Sequence, residues 1–295
     1  MPEMPEVQGL ADFLRSKLLP PDAPAAVISE VEVLSFPVLK TAAVPVEELY
    51  AGPVSGVERR GKFLVLTAGG VHLVMHLAKA GWLRWSDALK PGRLRPGKGP
   101  MALRVRFAAS GDGGAEPGFD LTEAGTRKSL AVYVVRDPAD VPGVARLGPE
   151  ALDVGADTFA ALVGAHRGQI KGLLRDQSVI AGIGNAYSDE ILHAAHLSPF
   201  AIGAKLDAGE VDRLFEAMGA VLDSAISNAS GRPAAELKDS KRQAMRVHAR
   251  TGEPCPVCGD TVREVAFADS SLQYCPTCQT GGKLLADRRM SRLLK

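Results

Sequence analysis

Two residues at the start of the chain have the chemistry of a covalent catalyst. Pro2 follows Met1, and a small penultimate residue permits removal of the initiator methionine, leaving a free secondary amine. An α-amino group titrates at about 7.7–8.0 and a lysine at about 10.4, so at neutral pH the α-amine is on the order of a hundredfold richer in its nucleophilic form. A secondary amine can attack a sugar C1′ and form an iminium, the electron sink that an elimination needs. Glu3, adjacent in sequence, can move protons near that amine. In an arbitrary protein such a pair is simply a processed start, so this reading depends on the company the two residues keep.

All four cysteines lie in one stretch, Cys255-x2-Cys258, sixteen intervening residues, then Cys275-x2-Cys278. Each pair is spaced so that a tight turn brings two thiolates onto one metal, and four thiolates make a closed tetrahedral zinc site. The intervening VREVAFADSSLQY can form a hairpin that joins the pairs. A segment this small buries little apolar surface, so metal binding must supply its folding energy. The expectation is one structural zinc per chain; the alternative, two disulfides, is disfavoured in a reducing compartment.

A third constellation is Gly182-Ile183-Gly184-Asn185-Ala186-Tyr187, just ahead of a helical pattern. Glycines there permit a sharp turn, Asn185 is a natural N-cap, and a helix N-terminus with free N–H groups suits a phosphate diester. Lys171 and Arg175, one helical turn apart on the preceding helix, would face the same phosphate. An ordinary helix–turn–helix junction accounts for the same residues.

The elements that must position these groups are legible from periodicity. Val7, Leu10, Leu14 and Leu18 recur at helical spacing behind Pro5. From about 27 to 137 the pattern is strand-like, as in VISEVEVLSF, FLVLTAG, VHLVMHLA, MALRVRFAA and SLAVYVVRD, with turns such as AGG and SGDGGAEPG between them. VARLGPEALDVG reads as a linker, and helices follow from Asp157, Gly168, Asn185 and Asp207, the last with Glu210 three residues on in a capping-box arrangement. The expected fold is α+β and multidomain: a helix plus β-sandwich over 1–150, a helical domain over 151–245, and a zinc finger with a basic tail over 246–295. Length agrees with about two domains and a small appendage.

Bulk composition excludes little. The chain has 295 residues, 46% hydrophobic and 23% charged, with a formal net charge of +1, which gives no global argument for a nucleic-acid partner. From Lys238 to Lys295, however, eleven lysines and arginines face six acids, a local excess of the kind that tracks phosphates, although a solvated surface has the same composition. No apolar run approaches the ~18 residues of a membrane span, and the start MPEMPEVQ is acidic with no apolar signal region, so a cytoplasmic monomer is expected.

Taken together, the chain resembles the formamidopyrimidine-DNA glycosylase/endonuclease VIII (Fpg/Nei) family nearly end to end. The MPEMPEV start resembles the family's nucleophile motif, and Arg59-Arg60-Gly61-Lys62-Phe63-Leu64 resembles the strand that carries its catalytic lysine. Asp176-Gln177-x4-Gly182-x-Gly184-Asn185-x-Tyr187-x2-Glu190 is similar to the helix–two-turn–helix signature, and Gly252-Glu253-Pro254-Cys255 opens a finger like the family's. The resemblance implies Pro2 as Schiff-base nucleophile, Glu3 as acid/base, Glu6 as a supporting carboxylate, Lys62 as the catalytic lysine and Asn185 as a phosphate ligand. It implies damaged DNA, as duplex, for a partner and a glycosylase with abasic-site (AP) lyase activity. Two further readings share these residues: a lyase acting mainly on abasic sites, and a DNA-binding protein that kept the fold and lost the chemistry.

The departures from the family pattern fall where a lesion is read. The arginine usual five residues before the third cysteine is Ser270, and the usual gap-filling methionine is Lys79. The stretch Leu121–Lys128 lacks the usual phenylalanine and offers Arg127 instead. Between Asp239 and Gly252 there is little room for a loop that caps 8-oxoguanine. Lys79, Arg127 and Lys171 are therefore expected to contact DNA, with phosphate or base-edge contacts replacing apolar wedges.

Overall fold

The computed structural model describes residues 1–92, 94–95, 97, 99–109, 114–124, 128–267 and 270–286. The chain folds as two compact units, Met1–Arg146 with Ala229–Lys238, and Leu147–Asn228 with Asp239–Lys295.

The first unit begins with α1 (Met4–Leu18), followed by strands β1 (Ile28–Val33), β2 (Val54–Arg60), β3 (Phe63–Ala68), β4 (Val71–His76), β5 (Gly81–Ser86), β6 (Met101–Phe107), β7 (Gly118–Glu123) and β8 (Ala131–Val135), and a short α2 (Pro142–Ala145). The strands form two four-stranded sheets, ordered β2-β3-β4-β8 and β1-β6-β7-β5. All strand pairs within them are antiparallel, as the period-two patterning of the sequence requires. Val7, Leu10, Leu14 and Leu18 of α1 share one core with Leu64, Leu66, Leu73 and Met75 of one sheet and Leu103, Val105, Phe119 and Leu121 of the other. Each of these four helix residues is 0–1% exposed, so burial contributes about 1.5–3 kcal/mol per side chain. The segment Ala229–Lys238 joins this core through Ala229, Ala234 and Leu237, and the Trp82 indole N–H donates to the Ala234 carbonyl at 3.1 Å.

Strand register collects several turns at one end of the unit. Arg60 pairs with Phe63 and Phe63 with His76, so the turn Gly61-Lys62 and the exit of β4 lie together. Ala131 pairs with His76, Gly81 with Glu123 and Met101 with Thr122, which brings the residue 77–80 turn and the start of β8 to the same end. The exit of β1 joins them, because the Leu34 and Ser35 N–H groups both donate to the Ala102 carbonyl at 3.0 Å. Helix α1 runs the same way: Gln8 meets Arg59 while Arg15 reaches the Val57 carbonyl, so its N-terminus points to this rim.

The second unit holds α3 (Ala156–Ala165), α4 (Ile170–Arg175), α5 (Asn185–Ala194), all but the last residue of α6 (Ala208–Ala229) and all but the first two residues of α7 (Leu237–Ala244), then the hairpin β9 (Arg263–Ala266) and β10 (Ser271–Tyr274), and α8 (Pro276–Thr280). Glu210 Oε2 accepts the Asp207 N–H and Asp207 Oδ1 accepts the Glu210 N–H, the reciprocal cap expected ahead of α6. The fold class expected from the sequence, α+β with helical and zinc-finger parts, is the one observed.

Candidate active site and zinc centre

The rim of the first unit carries the residues of the expected covalent chemistry. Glu3 stands immediately ahead of α1 and is 1% exposed; Glu6 is 3% exposed, and its Oε2 accepts the Glu3 backbone N–H at 2.8 Å. That bond satisfies a donor the helix leaves unpaired and puts a carboxylate in the first turn, where the helix dipole favours negative charge. Pro2 is buried although Met1 is exposed. Met1 is joined to the Pro2 nitrogen in this structure, so that atom is an amide here and becomes an amine only on removal of Met1.

Lys62 occupies the β2–β3 turn, where Gly61 adopts φ +55°. It is 7% exposed and acts on His76, whose ring packs against Phe63 at a 41° tilt with centroids 4.8 Å apart. Burial, and after it the Lys62 ammonium, lowers the His76 pKa to about 4. His76 is therefore a neutral hydrogen-bonding group at pH 7, which the sequence analysis did not single out. The pairing of a lysine with a histidine at a hairpin end is visible only once the register is known.

Lys79 is exposed in the turn after β4. Ala78 takes φ +52°, a conformation that strains a non-glycine residue, and Gly81 cannot carry a side chain because a Cβ would lie 2.1 Å from the Leu77 carbonyl oxygen. Arg127 lies outside the described residues.

In the second unit, Asn185 is not the N-cap expected from the sequence. Gly184 caps α5, and Asn185 is the first helical residue. Its amide is engaged elsewhere: Nδ2 donates to the Ser271 carbonyl at 2.8 Å, tying the helix start to β10, while Oδ1 is buried with no hydrogen-bond partner. The turn ahead of it is laced by Gln177, which donates to the Arg175 and Ile183 carbonyls and accepts from Gly182 N–H. Gly182 adopts φ +103°, which glycine alone tolerates easily.

Lys171 also departs from expectation. It is 4% exposed and its Nζ donates to the Asn185 carbonyl, Ser188 Oγ and Asp189 Oδ1, whereas Arg175 is exposed, so the two do not face one phosphate. The physical reason is Asp189, a carboxylate with no exposure, which draws the ammonium inward and bonds His248 Nδ1 through its other oxygen at 2.8 Å. Lys171 thus holds the Asn185 turn in place.

The four cysteine sulfurs lie within 4.8 Å of one another, with Cys255–Cys278 at 3.8 Å and Cys258–Cys275 at 3.3 Å. A tetrahedron of sulfurs about 2.3 Å from a zinc ion has edges of about 3.8 Å, so the set fits one structural zinc. Burial pushes the Cys275 thiol up to about 11, and a bound dication reverses that by taking thiolates as ligands. Helix α5 is the foundation of this finger. Both oxygens of the buried Glu190 accept backbone N–H groups of Arg246, Val247 and His248, and His193 Nε2 lies 3.3 Å from Cys255 Sγ. Glu190 entered the sequence reading as one letter of a motif, and His193 was missed, because neither contact is local. Ser270 helps close the hairpin through its carbonyl, which accepts the Phe267 N–H at 2.8 Å.

Comparison with known proteins accords with this architecture. The formamidopyrimidine-DNA glycosylase N-terminal domain model matches residues 1–129, that family's H2TH domain 147–235, and the zinc finger found in FPG and IleRS 252–281. A formamidopyrimidine-DNA glycosylase of Moorella thermoacetica is 35% identical over 90% of this chain and 94% of its own length. A formamidopyrimidine-DNA glycosylase-like protein of Mycobacterium tuberculosis is 62% identical over 53% of this chain and 99% of its own. Among solved structures, Lactococcus lactis Fpg in complex with abasic-site DNA superposes with a TM-score of 0.77 at 23% identity, covering 95% of this chain and 100% of that one. The fold is that of a helix–two-turn–helix, zinc-finger DNA glycosylase. The chain belongs to the formamidopyrimidine-DNA glycosylase family.

Two outcomes follow from the site itself. The purified protein should hold one zinc per chain, and chelation should remove hydrogen-exchange protection from residues 246–286 while 1–146 keep theirs. Four freely titratable thiols in the native protein would contradict this. For His76, an NMR titration should give a value near 4 that rises only in part in Lys62→Met, because burial, the larger cause, remains. Since the folded value lies below the unfolded one, His76 contributes stability that is present above about pH 6.5 and is lost as pH falls toward 4.

Proposed function

We propose that this protein is a base-excision-repair DNA glycosylase with AP lyase activity, using the Pro2 amine as its nucleophile. The observation that carries the reading is the placement of Pro2 and Glu3, both buried, at the end of the first unit that also holds Lys62 and His76. The lesion nucleotide must leave the stack before its C1′ can be reached. The Pro2 nitrogen then bonds to C1′ as the C1′–base bond breaks; after the nitrogen gives up its proton, its lone pair expels O4′, which takes a proton by way of Glu3, and the opened sugar is left as an iminium. Loss of a C2′ proton expels the 3′ phosphate, and a second elimination expels the 5′ phosphate. Glu6 holds the backbone at Glu3, Lys62 supplies positive charge beside the site, and Lys79 and Arg127 contact the DNA. The N-terminus of α5 at Asn185, supported by Lys171, and the finger hold phosphates, which position the duplex without reading its sequence. Zinc is structural in this scheme and takes part in no step. Among the described residues no helix is long and apolar enough to cross a membrane, in keeping with a protein that works on DNA in the cytoplasm or nucleoid.

The direct test is borohydride trapping on abasic-site DNA. Protein lacking Met1 should form a covalent adduct, and Pro2→Gly or retention of Met1 should lower its yield; an unchanged yield would refute the assignment. Glu3→Gln should slow base excision by roughly 10²–10⁴-fold, as loss of a general acid does, and affect cleavage at a pre-formed abasic site less.

A second reading, a lyase acting mainly on abasic sites, is favoured by exposed Lys79 at the position where the resemblance calls for a methionine. A cation does not replace stacked apolar surface, so flipping from an intact duplex is less well supported. The segment between Asp239 and Gly252 is taken up by the end of α7 and by the turn that Glu190 holds, leaving little chain to cap 8-oxoguanine. Abasic sites and oxidised pyrimidines should therefore be processed faster than 8-oxoguanine paired with cytosine. A side-by-side rate comparison in which 8-oxoguanine is fastest would overturn that ranking.

A further inference from the structure

The side chain of Phe36 is 92% exposed, while the other exposed large apolar residues among those described lie between 37% and 68%. Scattered surface hydrophobes are ordinary, but a phenylalanine held almost wholly in water forgoes the burial that usually places it. Its backbone is nonetheless fixed. Phe36 opens a 3₁₀ turn, Phe36–Val38, whose flanks Leu34 and Val38 are 4% and 3% exposed. Pro37 restricts the turn, Val38 N–H donates to the Ser35 carbonyl, and Lys40 N–H donates to Val132 at 2.8 Å. The ring is thus presented from a rigid support.

The position of that support gives the ring a use. Leu39 bridges Val132 at the start of β8, and β8 pairs with β4 at His76, so Leu39, just after the Phe36 turn, sits about two strand spacings, or about 10 Å, across the same rim from His76. Two cations flank it. Lys40 and Lys128 line one small cavity with Ser35, Pro37 and Val38, and their ammonium groups are held by the carbonyls of Pro37 and Glu123. Lys79 is exposed on the rim beyond, where the Ala124 N–H donates to the Ala80 carbonyl. A fixed aromatic face among lysines suits a polyanion that carries planar rings. We propose that Phe36 is a stacking platform for an unpaired nucleobase near the lesion, with Lys40 and Lys128 taking the adjacent phosphates. The proposal rests on the reading of this protein as a DNA glycosylase.

The test uses full-length protein and DNA containing a tetrahydrofuran abasic analogue, single-stranded and duplex, with binding read by fluorescence anisotropy. Phe36→Ala should weaken binding roughly 5- to 150-fold, the range for loss of one base–aromatic stack, and leave the slope of affinity against salt unchanged. Phe36→Trp should bind like wild type and Phe36→Leu like Phe36→Ala. With 2-aminopurine placed at successive positions, one position should be quenched by wild type and relieved in Phe36→Ala. Thermal unfolding should be unaltered, since the side chain packs on little, and borohydride trapping at saturating DNA should persist. If wild type traps normally but Phe36→Ala binds as tightly, or Phe36→Leu binds as well as wild type, the platform is refuted while the glycosylase reading stands. Wild-type protein that neither binds nor traps DNA would overturn both.

Discussion

Burial of one face of α1 in the sandwich core is the constraint on which the rest of the first unit depends. The proposed nucleophile, Pro2, has no fixed position of its own at the start of a chain, because a terminus frays unless it is tied down. Here Val7, Leu10, Leu14 and Leu18 anchor the helix among the strands, and Glu6 closes its first turn on the Glu3 N–H. The side chains of Glu3 and Pro2 are then carried to the rim as rigidly as a strand residue would be. A few apolar contacts far from the reacting atoms thus do what a loop could not.

Helix α5 has the corresponding role in the second unit, by electrostatic means. Its Asp189 and Glu190 are almost without exposure, a costly state that persists because each oxygen finds a donor: Lys171 and His248 for Asp189, three consecutive backbone N–H groups for Glu190. Burial raises the pKa of Glu190, and the three N–H groups oppose that rise. Through these bonds and the His193–Cys255 contact, the helix that begins at Asn185 also sets the chain that enters the zinc centre. The apolar cluster at the cysteines is small, Val247, Cys255, Val262 and Cys275, and the hairpin adds Val265, Leu272 and Tyr274 against Phe200, so the finger's order depends on zinc and on these contacts together.

Lysines are used in two ways. At the rim of the first unit Lys40, Lys79 and Lys128 turn outward, while Lys62 is buried there. In the second unit Lys171 turns inward. An exposed lysine near DNA contributes affinity that falls with salt, whereas a buried one fixes geometry that salt hardly reaches.

Much of this was legible in the sequence, because some signals are local. Cysteine spacing defined the zinc ligands, since two C-x2-C turns and an intervening hairpin can close on one ion with no other help. Helical spacing marked α1, alternation marked the strands, and Asp207 with Glu210 marked the start of α6. The chemistry proposed for Pro2 and Glu3 rests on residue type, and the order of four motifs along the chain made the family recognisable. What the sequence did not contain was direction. Whether Lys171 faces a phosphate or Asp189, whether Asn185 caps its own helix or ties it to Ser271, and whether Phe36 joins the core or stands in water are decided by partners distant along the chain. The same is true of His76, whose low pKa arises from burial and from a lysine that only β-strand register brings beside it. Local spacing sets which groups are available; the packing of distant segments sets which way each group turns and how much water it keeps, and on that its charge and its partners depend.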